Sequence, residues 1–133
     1  VPEVVETPVN ASQIFTATNL TGATLEAGRV VTIDHVTGGI IYADCSTDTH
    51  GESVLGILKD ATLPGYDGEA IQAGQVELDS WDWPSGLDVL LLGNAGNLVS
   101  YSDLPAGALF VRQVASVLSS NRVAVDDEPA IYR

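Results

Sequence analysis

Two histidines, one cysteine and eighteen carboxylates are the groups in this chain that could do chemistry. His35 stands at the mouth of a turn, and His50 lies in the polar run Ser46-Thr47-Asp48-Thr49-His50-Gly51. With the serines and aspartates nearby they can be drawn as a hydrolytic triad of nucleophile, base and orienting acid. The local signatures of such sites are missing: there is no G-x-S-x-G elbow, no H-E-x-x-H, no P-loop and no dinucleotide-binding glycine pattern. Asp67 with Glu69, and Asp79 with Asp82, are close in sequence, whereas glycoside hydrolysis needs two acids facing each other across a cleft. Asp126-Asp127-Glu128 lacks the alternating oxygen ligands and central glycine of a calcium loop. Cys45 is alone, so it supplies neither an intrachain disulfide nor a zinc cluster. A hydrolase built on clustered carboxylates is therefore the weakest reading. The expectation is a non-enzymatic protein with no catalytic residue, no cofactor and no metal.

The segment Ser80-Trp81-Asp82-Trp83-Pro84-Ser85-Gly86-Leu87 is richer, because it holds both tryptophans. On an extended strand, alternate residues share a face, so Trp81 and Trp83 are expected to point the same way. Two such indoles fill a core, anchor a subunit interface, or stack on a sugar ring with Asp82 accepting hydroxyl hydrogen bonds. Tyr66 could add a further stacking face. Asn10-Ala11-Ser12 and Asn19-Leu20-Thr21 match the glycosylation sequon, a motif short enough to arise by chance.

The charge balance narrows the partners. Five Lys and Arg against eighteen Asp and Glu leave a formal net charge of −13. Between Lys59 and Arg112 every charged side chain is acidic. Nucleic-acid affinity comes mainly from cations on phosphates, so no nucleic-acid partner is expected. An anionic membrane surface is disfavoured for the same reason. The longest apolar run, Val89-Leu90-Leu91-Leu92, has strand length and falls far short of a membrane helix. The first residues also lack the basic and apolar blocks of a secretory signal.

The elements that must position these groups are strands. Stretches with apolar residues at three- and four-residue spacing are almost absent, while short β-branched runs alternate with Gly, Asn, Asp and Pro. The pattern predicts strands over 29–34, 40–44, 53–58, 69–78, 88–92, 97–100, 109–118 and 122–125. Turns at Thr37-Gly38-Gly39 and Gly93-Asn94-Ala95-Gly96 close two hairpins. Gly56 and Gly74 lie inside strand patterns, which suggests bulges, bends or close backbone approach. Apolar residues at consecutive positions predict strands buried on both faces. The expected fold is a single all-β domain, a small barrel or sandwich, over 14–133. Residues 1–13 read as an extended N-terminal arm, with Pro2 and Pro8 breaking regular structure and Val4, Val5 and Val9 spaced along it.

From Arg29 to Ile131 the order of motifs is distinctive. Val54-Leu55-Gly56-Ile57-Leu58 is followed by Gly68-Glu69-Ala70-Ile71, Gly74-Gln75-Val76 and Trp81-Asp82-Trp83-Pro84-Ser85-Gly86. Then come Val89-Leu90-Leu91-Leu92-Gly93-Asn94-Ala95-Gly96-Asn97-Leu98, Pro105, and Val111-Arg112-Gln113-Val114-Ala115-Ser116-Val117-Leu118-Ser119. This order resembles the small capsid decoration (cement) and head-fibre proteins of tailed bacteriophages. It departs from them at Ala115-Ser116, where Val-Gly is expected, and in the long Pro-containing arm. The resemblance implies a structural virion protein on the outer capsid surface, bracing the shell. Its partners would be the major capsid protein and itself, as a homotrimer. Val4, Val5, Val9, Ile14, Phe15, Tyr66, Trp81, Trp83 and Pro84 are the candidate interface residues. The alternative is a carbohydrate-binding module of a phage fibre or spike.

Overall fold

The computed structural model describes residues 13–132; Val4, Val5 and Val9, and the sequon at Asn10, lie outside them. The domain is all-β, as the turn rhythm predicts. Its strands are β1 (Gln13–Thr18), β2 (Val30–Ile33), β3 (Ile40–Tyr42), β4 (Val54–Leu58), β5 (Asp67–Glu77), β6 (Val89–Leu92), β7 (Leu98–Val99), β8 (Phe110–Val111), β9 (Gln113–Ser119), β10 (Arg122–Val125) and β11 (Ile131–Tyr132). All the pairings are antiparallel. The main sheet runs β3-β2-β4-β5-β10-β9-β6-β7, with β1 on β5, and β8 and β11 form a separate ribbon. The eight strand segments expected from the sequence are present, with the stretch 109–118 divided into β8 and β9. Strands β1 and β11, and the short 3-10 turns Asp48–Glu52, Asn94–Gly96 and Tyr101–Asp103, were not expected.

Strand β5 is the spine. Its first half pairs with β1 and β4, and its second half, Gly74–Glu77, pairs with β10. Gly74 has φ +125, a backbone angle that L side chains rarely adopt, at the point where β5 passes from one set of partners to the other. Gly56 meets the second expectation for in-strand glycine, close approach. A Cβ there would overlap the carbonyl oxygen of Ile71, and the β2–β4 register shifts opposite it.

The consecutive apolar positions are buried on opposite faces of the same strands. Val30, Ile57 and Ile71 enter the larger core with Leu90, Leu92, Phe110, Val114, Val123 and Val125. Their sequence neighbours Val31, Leu58 and Ala70 enter a smaller core capped by Leu25 and Ile40. Each pair puts roughly two side chains' worth of apolar area out of water per two residues, about 1.5–3 kcal/mol for each fully buried aliphatic. No disulfide contributes, since Cys45 is free and buried.

The sheet is not closed into a barrel, because its end strands β3 and β7 do not pair. Backbone hydrogen bonds between the connecting loops bring the two ends together instead. Gly96 N–H donates to the Ala43 carbonyl at 2.6 Å, and Cys45 N–H donates to the Gly93 carbonyl at 3.1 Å. Among the described residues no helix is long and apolar enough to cross a membrane.

Candidate functional site

The sequence places Trp81 and Trp83 on a strand, and the structure does not. Both lie in the irregular connection between β5 and β6. Pro84 has no N–H for a ladder, and the segment is held by single bonds: Trp83 N–H donates to the Ser120 carbonyl at 2.7 Å, and Leu78 N–H to Asn121. The indoles nevertheless meet. Their ring centroids are 5.3 Å apart at an interplanar angle of 43°. Both are half-buried and pack against the larger core. Trp81 also closes on Gly28, where a Cβ would stand 2.9 Å from its Cζ2. Trp83 Nε1 is buried with no hydrogen-bond partner among the described residues. Pro84 is exposed at the crest of this loop, and shallow grooves of about 490 and 480 Å³ run along its two sides.

Ile14 and Phe15 form a second feature. They belong to β1, which among the described residues is paired on one side only, to β5. Ile14 is 47% and Phe15 37% exposed, although β-branched and aromatic residues in a strand ordinarily cover a core. Ile14 stands opposite Ile71 and lines a 260 Å³ groove floored by Val76 and Leu78. Leu78, which lines the same groove, approaches Gly28 together with Trp81.

Tyr66 sits at the opposite end of β1. It is 66% exposed, beside Leu20 at 54% and Leu63 at 57%. The residue that assembles this apolar tip is Asn19, which is fully buried. Its Nδ2 donates to the carbonyls of Ala23 and Thr62, both at 2.9 Å. Its Oδ1 accepts from Thr21 N–H at 2.9 Å and from Thr21 Oγ1 at 2.6 Å. Backbone bonds from Asn19 to Tyr66 and from Gly65 to Asn19 complete the joint. With all four side-chain hydrogen bonds made, Asn19 in the folded chain has no amide free to carry a glycan. The Asn-x-Thr spacing suits the Asx-type bonding to Thr21, but the partner Thr62 lies 43 residues away, beyond the reach of any local signal.

Several of the remaining reactive groups are engaged structurally. Asp127 forms a two-point ion pair with Arg112, from Nε to Oδ1 and Nη2 to Oδ2, each at 2.7 Å. Asp126 accepts from Gln113 and Ser116, Glu69 faces Lys59 at 3.9 Å, and Asp67 accepts from Thr18. Asp79 and Asp82 are exposed. His35 is exposed, while His50 is partly buried, with Nδ1 accepting the Asp44 N–H at 3.0 Å. Burial pushes the Cys45 thiol up from its ordinary value, with the Asp44 carboxylate adding to the effect, which leaves it a weaker nucleophile. Among the described residues no three His, Cys, Asp or Glu side chains converge in a metal-binding group.

No protein-family model matches the chain, and no curated protein matches it in sequence.

Proposed function

We propose that this chain is a capsid decoration protein that works by attachment and not by chemistry. The observation that carries the reading is the edge of β1 that no strand pairs among the described residues. It exposes Ile14 and Phe15 along a strand of six residues and ends at the apolar tip of Leu20, Leu63 and Tyr66. An unpaired edge with apolar side chains is a template for strand addition and a liability unless something covers it. The strand edge spans roughly 20 Å at about 3.3 Å per residue, long enough to seat a partner segment. The net charge of −13 suits the outside of a shell that encloses nucleic acid. The resemblance of the Arg29–Ile131 motif order to decoration proteins supplies the shell as partner.

A sugar-binding module draws less support from the tryptophans. Both indoles are half-buried and turned toward each other and the core, and stacking on a sugar ring needs an open aromatic face.

Cosedimentation of the purified chain with mature capsids of its own source tests the proposal. Saturable binding supports it. Absence of binding at all salt concentrations overturns it.

A further inference from the structure

We propose that His50 is a pH-sensitive latch on the seam that joins the two ends of the sheet. The seam is made by the loop after β3 and its 3-10 turn, residues 43–52, against the β6–β7 turn, residues 93–97. Asp44 is its hub. Its Oδ1 accepts Ser46 N–H at 2.8 Å, its Oδ2 accepts Ala95 N–H at 3.1 Å across the seam, and its own N–H donates to His50 Nδ1. Asn94 answers from the other side, its Oδ1 accepting from Ser46 Oγ at 3.0 Å and from the Cys45 thiol at 3.7 Å.

The seam holds strained backbone. Ala95 has φ +51 and ψ +40, and it is the one non-glycine residue with positive φ among those described. That left-handed conformation is unfavourable for an alanine, whose Cβ crowds the following carbonyl oxygen. Its N–H is held by Asp44 and its carbonyl by Arg29 Nη1 at 3.2 Å. Behind it a Cβ at Gly96 would stand 2.6 Å from the Val30 carbonyl, so the turn is pressed onto β2.

An imidazole that accepts at Nδ1 is neutral, with its proton on Nε2. Protonation of Nδ1 sets one N–H against another and breaks the bond to Asp44. The new imidazolium is then drawn to the Asp44 carboxylate, which already serves Ser46 and Ala95. The groups around the ring act in both senses. Asp44 favours the charged form, and His35, from the β2–β3 turn, opposes it. Asp48 and Glu52 lie on the same 3-10 turn, and Arg112 and Tyr132 contact that turn at the Gly51 and Asp48 carbonyls. Burial is the largest influence and holds His50 below its ordinary value of 6.5. The folded state therefore binds fewer protons than the unfolded one near neutrality. The latch contribution is full above the unfolded value and is lost as pH falls below it.

The test is an NMR titration of the full chain from neutral pH to about pH 5, spanning the range in which histidine titrates. The nitrogen shifts of His50 should report the Nε2–H tautomer at neutral pH and a midpoint below 6.5. The Asp44 and Ala95 amides should shift with that same midpoint. Their exchange, corrected for intrinsic pH dependence, should quicken roughly tenfold on the acid side, the equivalent of one lost hydrogen bond. His50→Gln retains an acceptor without the titration and should abolish the coupled shifts, while His35→Gln should leave them. The wild-type tautomer is decisive even where the variant folds poorly. An Nδ1–H tautomer, or His50 titrating with no response at Ala95, overturns the proposal, as do coupled shifts that survive in His50→Gln.

Discussion

Gly56 faces the carbonyl of Ile71 so closely that no Cβ fits between them, and it sits at the end of the antiparallel pairing of β4 with the spine strand β5. The φ of +152 at Gly56 adds a conformational reason for glycine. Gly56→Ala must push β4 off β5 between two buried cores, and it should destabilise the fold by about 3 kcal/mol. A urea unfolding midpoint reads this directly, and a loss under about 0.5 kcal/mol, the usual range for a neutral surface change, would contradict the geometry.

Asn19 should be the most sensitive polar residue of the described chain. Asn19→Ala leaves the buried Thr62 carbonyl without its side-chain donor and frees the loop that carries Leu20. The expected loss is about 2–3 kcal/mol in thermal or urea unfolding. Amide exchange in residues 19–25 and 62–66 should rise with it.

Much of this architecture was legible in the sequence, and the failures have physical causes. The runs at Val30-Val31, Ile57-Leu58 and Ala70-Ile71 read as two-faced strands because they are buried in two cores. Gly56 and Gly74 announced their strained positions. Strand β1 was invisible because Gln-Ile-Phe-Thr-Ala-Thr is an edge strand with four of six residues exposed, so burial left no clean alternation. Trp81-Asp82-Trp83 alternates like a strand, but Pro84 follows and among the described residues no strand pairs with it. The seam at Asp44, His50 and Asn94 and the joint at Asn19 depend on partners brought together by topology. Local patterning does not encode them.

Arg112 and Asp127 tie the C-terminal ribbon to the body, with side chains only 12% and 25% exposed. Arg112 also donates to the Gly51 carbonyl. Arg112→Lys keeps the charge and loses the planar fork. It should cost about 1–2 kcal/mol and speed amide exchange at Ile131 and Tyr132, whose strand pairs with β8. Exchange in β5 and β9 should stay slow. Equal acceleration everywhere would show that the pair holds the whole domain and not the ribbon.

Trp83 carries a buried indole N–H with no acceptor among the described residues. Trp83→Phe removes that unsatisfied donor, worth about 1–3 kcal/mol, while giving up part of the packing against Trp81. The two effects offset, and the net change should be under about 1 kcal/mol. Trp81→Phe has no such compensation and should be the more damaging by denaturant midpoint.

The most direct test of attachment through the β1 edge is cosedimentation with mature capsids of the chain's own source, comparing the wild type with Ile14→Asp/Phe15→Asp. Both side chains are exposed, so the variant should unfold at the same denaturant concentration within about 1 kcal/mol. The account predicts wild-type binding and at least a tenfold weaker association of the folded variant, roughly 1.4 kcal/mol or more. A folded variant that binds as tightly as the wild type would contradict it.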